Sequence, residues 1–274
     1  MPTAVVTDST AYLPPGLAER HGLILVPLQI AVGAELRDEN EISTAEALQR
    51  PATTSSPAPG RFAAAYEAAA SAGATAVVSV HLAAAMSGTL DAARLAAKDA
   101  PVPVHVVDSG SIGMGLGFAA LSAAAAALQG GTPAEVAAAA ERRARLTHSL
   151  FYVDTLEHLR RGGRIGAAAS LLGSALMVKP LLGIDDGRIA PLEKVRTSSR
   201  AIARLEELAV ARAGDLPVDL GIQHLAAGPR AETLAARLRD RIPQVADVYV
   251  GEVGPVIGAH VGPGMLGVVV APHL

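Results

Sequence analysis

The sequence predicts an α/β protein of two domains, an N-terminal domain with a largely parallel sheet covered by helices and a C-terminal α/β sandwich. Three observations support this fold class. Half of the 274 residues are hydrophobic, which is enough to fill two modest cores. Strand and helix patterns alternate along the first half, as they do in parallel sheets. A hairpin and further alternation mark the second half, and we place the domains at residues 1–149 and 150–274.

Strands and helices follow one another regularly in the first half. The strands are predicted at residues 4–6, 23–30, 76–80 and 102–107. The helices are predicted at residues 61–72, from near residue 87, in the alanine-rich segment after residue 117, and at residues 132–146. The start of the last helix is the clearest, because Thr132 can cap it, Pro133 suits its first position and Glu135 completes a capping box.

The second half is predicted to begin with helices and to continue with a hairpin. Two helices, at residues 154–161 and 165–176, are joined by Gly162 and Gly163. The turn at residues 185–187 predicts a hairpin over residues 184–191. After it we expect helices at residues 197–212 and 230–241, and strands at residues 218–223, 246–250 and 266–271.

Composition excludes several classes of function. The net charge of −3 and the pI near 6.2 give no basic footprint for nucleic acid, and we interpret Arg142, Arg143 and Arg145 as a solvated helix face. There is no cysteine and the eight histidines are scattered, so we expect no metal and no cofactor. The N-terminus lacks a basic signal-peptide region, and the longest apolar run, residues 118–128, is about half of a bilayer span. We therefore expect a cytoplasmic protein without an integral membrane segment.

Hydroxyl-bearing loops are the candidate site. Three of them follow predicted strands, at residues 8–10, 87–89 and 108–111, and a fourth, at residues 53–57, precedes a helix. Loops at the carboxyl ends of parallel strands converge, and each adds hydroxyl donors and a helix N-terminus, which together suit an anion. Ser and Thr before helices are also ordinary caps, so each loop alone is compatible with a purely structural role.

Two other chemistries remain open from the residues alone. A glycine-rich segment at residues 113–117 follows a strand, but Phe118 stands where the dinucleotide fingerprint needs its third glycine. Ser87, Asp108 and His260 occur in the chain order of an α/β-hydrolase triad, although Ala85 stands where the nucleophile elbow needs its first glycine. A serine esterase-type hydrolase using Ser87 and His260 is therefore the alternative function.

Seven motifs in order resemble the DegV family of bacterial fatty-acid-binding proteins. They are Asp8-Ser9-Thr10, Thr54-Ser55-Ser56-Pro57 with the following Gly60-Arg61-Phe62, Ser87-Gly88-Thr89, Val107-Asp108-Ser109, Arg161-Gly162-Gly163-Arg164-Ile165, Lys179-Pro180 with Lys194-Val195-Arg196-Thr197, and Gly258-Ala259-His260-Val261-Gly262-Pro263-Gly264. The sequence departs from the family pattern at Ser56, where glutamine is usual, and at Met86, where leucine is usual. Neither departure removes a hydroxyl that the resemblance assigns to the ligand.

The resemblance implies a non-enzymatic carrier that binds a long-chain fatty acid. It implies that the tail is buried and that the carboxylate lies at the inter-domain face. Ser87 and either Thr54 or Ser55 would hold the carboxylate. A single sequence does not distinguish Thr54 from Ser55 in this role. It implies that His260 supports this network and that Arg164 and Arg196 supply positive charge. Gly88, Thr89 and Gly262 complete the expected ligand-binding set.

The resemblance also implies a partner. Related proteins present the bound acid to a separate fatty-acid kinase, which forms an acyl-phosphate, and this chain has no ATP motif of its own. Arg160 and Arg161 could belong to the kinase-docking surface or to a solvated helix end. The bound acid, its length and its saturation are left open.

Overall fold

The computed structural model describes residues 2–50, 52–171 and 178–273. The strands are β1 (Thr3–Asp8), β2 (Leu23–Val26), β3 (Gln29–Val32), β4 (Glu35–Asp38), β5 (Ala52–Ser55), β6 (Ala76–His81), β7 (Val104–Asp108), β8 (His148–Tyr152), β9 (Lys179–Asp185), β10 (Arg188–Val195), β11 (Val218–His224), β12 (Val245–Glu252) and β13 (Leu266–Pro272). The α-helices are α1 (Leu17–Arg20), α2 (Thr44–Leu48), α3 (Pro59–Ser71), α4 (Thr89–Ala97), α5 (Met114–Leu128), α6 (Pro133–Leu146), α7 (Glu157–Arg161), α8 (Ser198–Ala213), α9 (Gly228–Arg241) and α10 (Pro255–Val261).

The N-terminal sheet is parallel throughout, as predicted. Its four strands lie in the order β2-β1-β6-β7, and every neighbouring pair runs in the same direction. Helices α3 and α4 pack on one face, against Val6 and Val77, and helices α5 and α6 pack on the other, against Val5 and Val78. Both faces are covered, which explains why β6 is buried along its whole length.

The C-terminal sheet is mixed and has six strands in the order β10-β9-β8-β13-β11-β12. Only β11 and β12 are parallel, whereas the other neighbours are antiparallel. Helices α8 and α9 cover one face, and α5 and α6 of the first half reach the other. The mixed α/β class is therefore confirmed. The division at residues 149 and 150, which stays a proposal, passes through β8.

Helices α5 and α6 form a layer shared by the two sheets. Because α5 has a sheet on each side, it has no solvent face at its start. This explains why its sequence is apolar up to Leu121. The interpretation of Arg143 as a solvated residue was wrong. Its side chain is buried against Phe118, and its Nη2 atom donates to Asp219 Oδ2 of β11 at 2.6 Å.

The strand predicted at residues 23–30 is two strands in different sheets. The first, β2, ends before Pro27, which has no N–H for a ladder, and β3 pairs instead with β4 and β5. The loop predicted at residues 53–57 was also wrong in part, because Thr53 to Ser55 lie within β5. Strand β5 is short and poor in hydrophobic residues, so its pattern alone does not reveal it.

Other boundaries differ more modestly from the predictions. The predicted helix at residues 154–161 begins at Glu157, and the helix near residue 87 begins at Thr89 with Gly88 before it. Of the helix predicted at residues 165–176, Gly166–Leu171 form a 3-10 helix and residues 172–177 lie outside the described part of the chain. Across the residues that the structure describes, no helix is both long and apolar enough to cross a bilayer.

Candidate functional site

A cavity of about 330 Å³ lies where the two halves of the chain meet. Its walls come from β5, the loop after β6, helix α10, and the inner face of β8, β13 and β11. The apolar lining residues are Leu28, Leu82, Met86, Ile112, Leu150, Phe151, Leu159, Ile184, Ile189, Val256, Ile257, Val261, Met265 and Val269. A mostly apolar cavity of this kind is typical of sites that enclose a small molecule.

Polar side chains from separate segments meet at this cavity. Thr54 and Ser55 come from β5, Ser87 from the loop after β6, Arg164 from the segment after α7, and His260 from α10. These five residues belong to the set predicted from the sequence, and Gly88 also lines the cavity. The fold therefore brings together residues that are as much as 206 positions apart in the chain.

The side chains of His260 and Thr54 are directly bonded. The Nε2 atom of His260 lies 2.8 Å from Thr54 Oγ1, and its Nδ1 atom is buried without a partner among the described residues. Burial, and next the positive charge of Arg164, lower the pKa of His260 from 6.5 to about 4. The imidazole is therefore neutral near pH 7.

Arg164 links two loops at the cavity. Its Nε atom donates to the carbonyl of Met86 at 3.2 Å, and its Nη1 atom donates to the carbonyl of Gly162 at 2.8 Å. The residue is exposed, so its charge is shared with solvent. Because Met86 directly precedes Ser87, these bonds place a cation beside the hydroxyl loop.

Ser87 is held by its own turn. Its hydroxyl lies 2.9 Å from Thr89 Oγ1 and accepts the Thr89 backbone N–H at 3.3 Å. Thr89 is fully buried as the first residue of α4 and is absent from the cavity lining, so its place is behind Ser87. Gly88 lies against Ser56, since a Cβ on Gly88 would be 3.6 Å from Ser56 Oγ.

Besides Thr89, two other predicted site residues lie away from the cavity lining. Arg196 lines a separate surface groove with Lys194, Arg200 and Arg204, because β10 carries it to the start of α8. Gly262 has a φ of 73° after α10, and a Cβ there would be 2.4 Å from the ring of His158. Among the described residues, Gly262 therefore closes the helix against α7.

The hydrolase triad is not assembled. Asp108 accepts the backbone N–H groups of Ala84 and Gly110 rather than orienting His260. The bonded partner of His260 is Thr54, and the hydroxyl of Ser87 is bonded to Thr89. A nucleophile needs its base within hydrogen-bond reach, and no such bond joins Ser87 to His260 in the described part of the chain.

A buried network that the sequence analysis missed anchors α10. Glu39 accepts from Val256 N at 2.8 Å, from Ser9 Oγ at 2.5 Å and from the hydroxyl of Tyr12, while Tyr12 accepts from Ile257 N at 3.2 Å. These bonds satisfy free N–H groups at the start of the helix that carries His260. Burial raises the pKa of Glu39. An acidic residue in an unremarkable polar segment gave no sequence signal for this role.

Asp8 has a structural role at the end of the parallel sheet. It is fully buried and accepts from Leu82 N at 3.0 Å, from Thr10 and from His81, whose Nε2 atom lies 2.6 Å from Ser79 Oγ. Ser79 is bonded in turn to the hydroxyl of Tyr66. The network orders the loops after β1 and β6, and thus the loop of Ser87.

The buried neutral His260 predicts a loss of stability in acid. Between its unfolded pKa of 6.5 and its folded pKa of about 4, the unfolded chain binds a proton that the folded chain does not. The free energy of unfolding should therefore fall by about 1.36 kcal/mol per pH unit in this window, and by roughly 2 kcal/mol at about pH 5. Urea unfolding of the wild type and of His260→Gln, each at about pH 7 and about pH 5, measures this. An equal pH dependence of the free energy of unfolding in the two proteins would contradict the prediction.

The sequence and the overall fold both match those of known proteins. The family model described as "Uncharacterised protein, DegV family" matches residues 2–273. A DegV domain-containing protein of Streptomyces coelicolor is 61% identical over 274 residues, with 98% of each chain covered.

The solved structures that resemble this chain include two that cover 100% of both chains at more than 30% identity. One, described as fatty acid binding of a DegV family protein from Thermus thermophilus, superposes with a TM-score of 0.93 at 33% identity. The other, described as DegV, a fatty acid binding protein from Bacillus subtilis, superposes with a TM-score of 0.91 at 34% identity. The chain belongs to the DegV family.

Proposed function

We propose that this protein binds a long-chain fatty acid, with the tail inside the cavity and the carboxylate at its polar residues. The observation that carries the proposal is the joint arrangement of a mostly apolar lining with Thr54, Ser87, Arg164 and His260. The fatty-acid binding described for the DegV proteins of Thermus thermophilus and Bacillus subtilis supports the same ligand class.

The bonds of His260 indicate how a carboxylate is received. An unpaired buried N–H is costlier and rarer than an unpaired acceptor, so we infer that Nδ1 carries no proton and that Nε2–H donates to Thr54 Oγ1. The hydroxyl hydrogen of Thr54 is then free to donate to the ligand. Thr54 is half-buried and bonded in this way, whereas Ser55 is exposed, which favours Thr54 as the contact.

The head group and the tail of the fatty acid contribute differently to binding. A tail of about 15 methylene groups gains on the order of 12 kcal/mol on burial before the costs of ordering. The carboxylate loses water and needs charge-assisted hydrogen bonds to offset that loss. Ser87 and Thr54 supply donors, and Arg164 supplies positive charge close to them. The tail therefore gives affinity, and the polar residues fix which end lies at the loops.

On this proposal the protein is a carrier, and its partner is a fatty-acid kinase that phosphorylates the presented carboxylate. The exposed guanidinium of Arg164 sits beside the hydroxyl loop and suits an acidic partner surface. Arg160 is hydrogen-bonded to Glu157 at 2.5 Å, and Arg161 to His158 at 3.2 Å. Both guanidinium groups therefore already have a hydrogen-bond partner within α7. Arg160 and Arg161 remain candidates for the rim of a docking surface.

Replacing Ser87 by Ala should weaken fatty-acid binding while the fold survives. Loss of one hydrogen bond to a charged group is worth about 1.5 to 3 kcal/mol, or roughly a tenfold or greater loss of affinity. Titration with palmitic acid measures the affinity. Ser71→Ala, at an exposed position of α3, is the matched control and should bind as the wild type does. Equal affinity of Ser87→Ala and Ser71→Ala would remove Ser87 from the site.

A further inference from the structure

Gln223 lines the cavity, and a hydrogen bond fixes the orientation of its amide. Gln223 is 5% exposed near the end of β11, and its Oε1 atom accepts the backbone N–H of Met114 at 2.9 Å. A backbone N–H can only donate, so the atom that faces it must be the amide oxygen. The Nε2 group is therefore a donor, and it has no partner among the described residues.

Ser149 contributes a second polar group on the same face of the sheet. On the central strand β13, Val269 pairs with Ser149 of β8, and Gly267 pairs with Gln223 of β11. Ser149, Gly267 and Gln223 all line the cavity. Because Gly267 has no side chain, it leaves space in the cavity on the face of the sheet that carries Ser149 and Gln223.

These two groups lie outside the hydrogen-bond network of the head-group residues. The hydroxyl of Ser149 lies 3.2 Å from Ser111 Oγ, and Gln223 is bonded to Met114 at the start of α5. Within the described residues, no hydrogen bond joins Gln223 or Ser149 to Thr54, Ser87 or His260. The cavity therefore has a second polar region on the six-stranded sheet.

We propose that Gln223 and Ser149 form a subsite for a neutral oxygen substituent, a hydroxyl or keto group, on the acyl chain. This rests on the proposed fatty-acid binding. A buried donor without a partner is costly, and a saturated tail offers it no acceptor. A ligand oxygen accepts from the amide of Gln223, and a ligand hydroxyl can also donate to Ser149. Neither group is charged, which suits a neutral oxygen better than a second carboxylate.

A positional series of hydroxystearic acids tests the subsite, with stearic acid as the reference. In the wild type, one or two adjacent hydroxyl positions should bind roughly tenfold more tightly than the other positions. Gln223→Met should abolish that preference, so that no hydroxystearic acid binds more tightly than stearic acid to this variant. Ser149→Ala, which keeps the bond between Gln223 and Met114, should reduce the preference in part and serves if Gln223→Met fails to fold.

The outcomes separate this proposal from the one on which it rests. Binding of stearic acid with a flat hydroxyl series overturns the subsite and leaves fatty-acid binding intact. The subsite is also overturned if the preferred position persists in both variants. If neither stearic acid nor any member of the series binds, the proposed function itself fails.

Discussion

Arg143→Met is expected to lower the free energy of unfolding by roughly 3 to 5 kcal/mol, because it removes the guanidinium that pairs with a buried carboxylate. The guanidinium of Arg143 and the carboxylate of Asp219 are both almost fully buried, 2.6 Å apart. The pair joins α6 of the first half to β11 of the second. Urea unfolding of the two proteins gives the difference directly.

Matched variants distinguish the buried pair from a general effect of charge. Arg142→Met removes an exposed arginine from the same helix and should change the free energy of unfolding by about 0.5 kcal/mol or less. The double variant Arg143→Met with Asp219→Asn should be more stable than Arg143→Met alone, since the uncompensated charge is gone. Equal stability of Arg142→Met and Arg143→Met would refute this account of the interface.

Gly267→Leu should reduce the affinity for a long-chain acid by about a hundredfold. Gly267 lines the cavity, and a Cβ there would be 3.3 Å from the flexible end of Met265 and 3.6 Å from Phe151. The four added carbons would occupy space that the tail needs. Displacing three or four methylene groups, at about 0.8 kcal/mol each, costs roughly 3 kcal/mol of binding. Titration with palmitic acid and with an acid about four carbons shorter checks this.

The shorter acid should lose much less affinity than palmitic acid in this variant. Gly251→Leu is the matched control, because Gly251 lies on the edge strand β12 and a Cβ there meets no atom within 4 Å. It should bind as the wild type does. An equal loss for both acids in Gly267→Leu would indicate that the tail lies elsewhere.

Local patterns predicted the parts of the fold that local interactions determine. The capping box of Thr132 and Glu135 is present, as is the hairpin turn at Asp185 to Gly187. The apolar run at residues 76–80 also correctly predicted the buried strand β6. In each case the residues that specify the element are its own neighbours in sequence.

Elements that depend on distant partners were missed. Strand β5 is polar and exists because it pairs with β3, and helix α10 is short and is held by Glu39 and Tyr12 from the other half. The sequence pattern predicted a solvated Arg143, because its partner Asp219 lies 76 positions away in the chain.

The candidate site shows the same limit. Motifs pointed to Thr54, Ser87, Arg164 and His260, which do line one cavity, but they also pointed to Arg196, which lies on another surface. Gln223 belongs to no motif, and only the register of β11 against β13 puts it in the cavity wall. The spacing of residues along the chain does not reveal which face of a strand lines a cavity.

Lipid extracted from the denatured protein tests the central claim most directly. The protein is purified without added lipid, a second portion is incubated with palmitic acid and freed of excess, and both are analysed by mass spectrometry. We expect a long-chain fatty acid in about one-to-one ratio with the chain after incubation, and a clearly reduced amount in Gly267→Leu. A wild-type protein that neither co-purifies with a long-chain acid nor retains one after incubation would contradict the account.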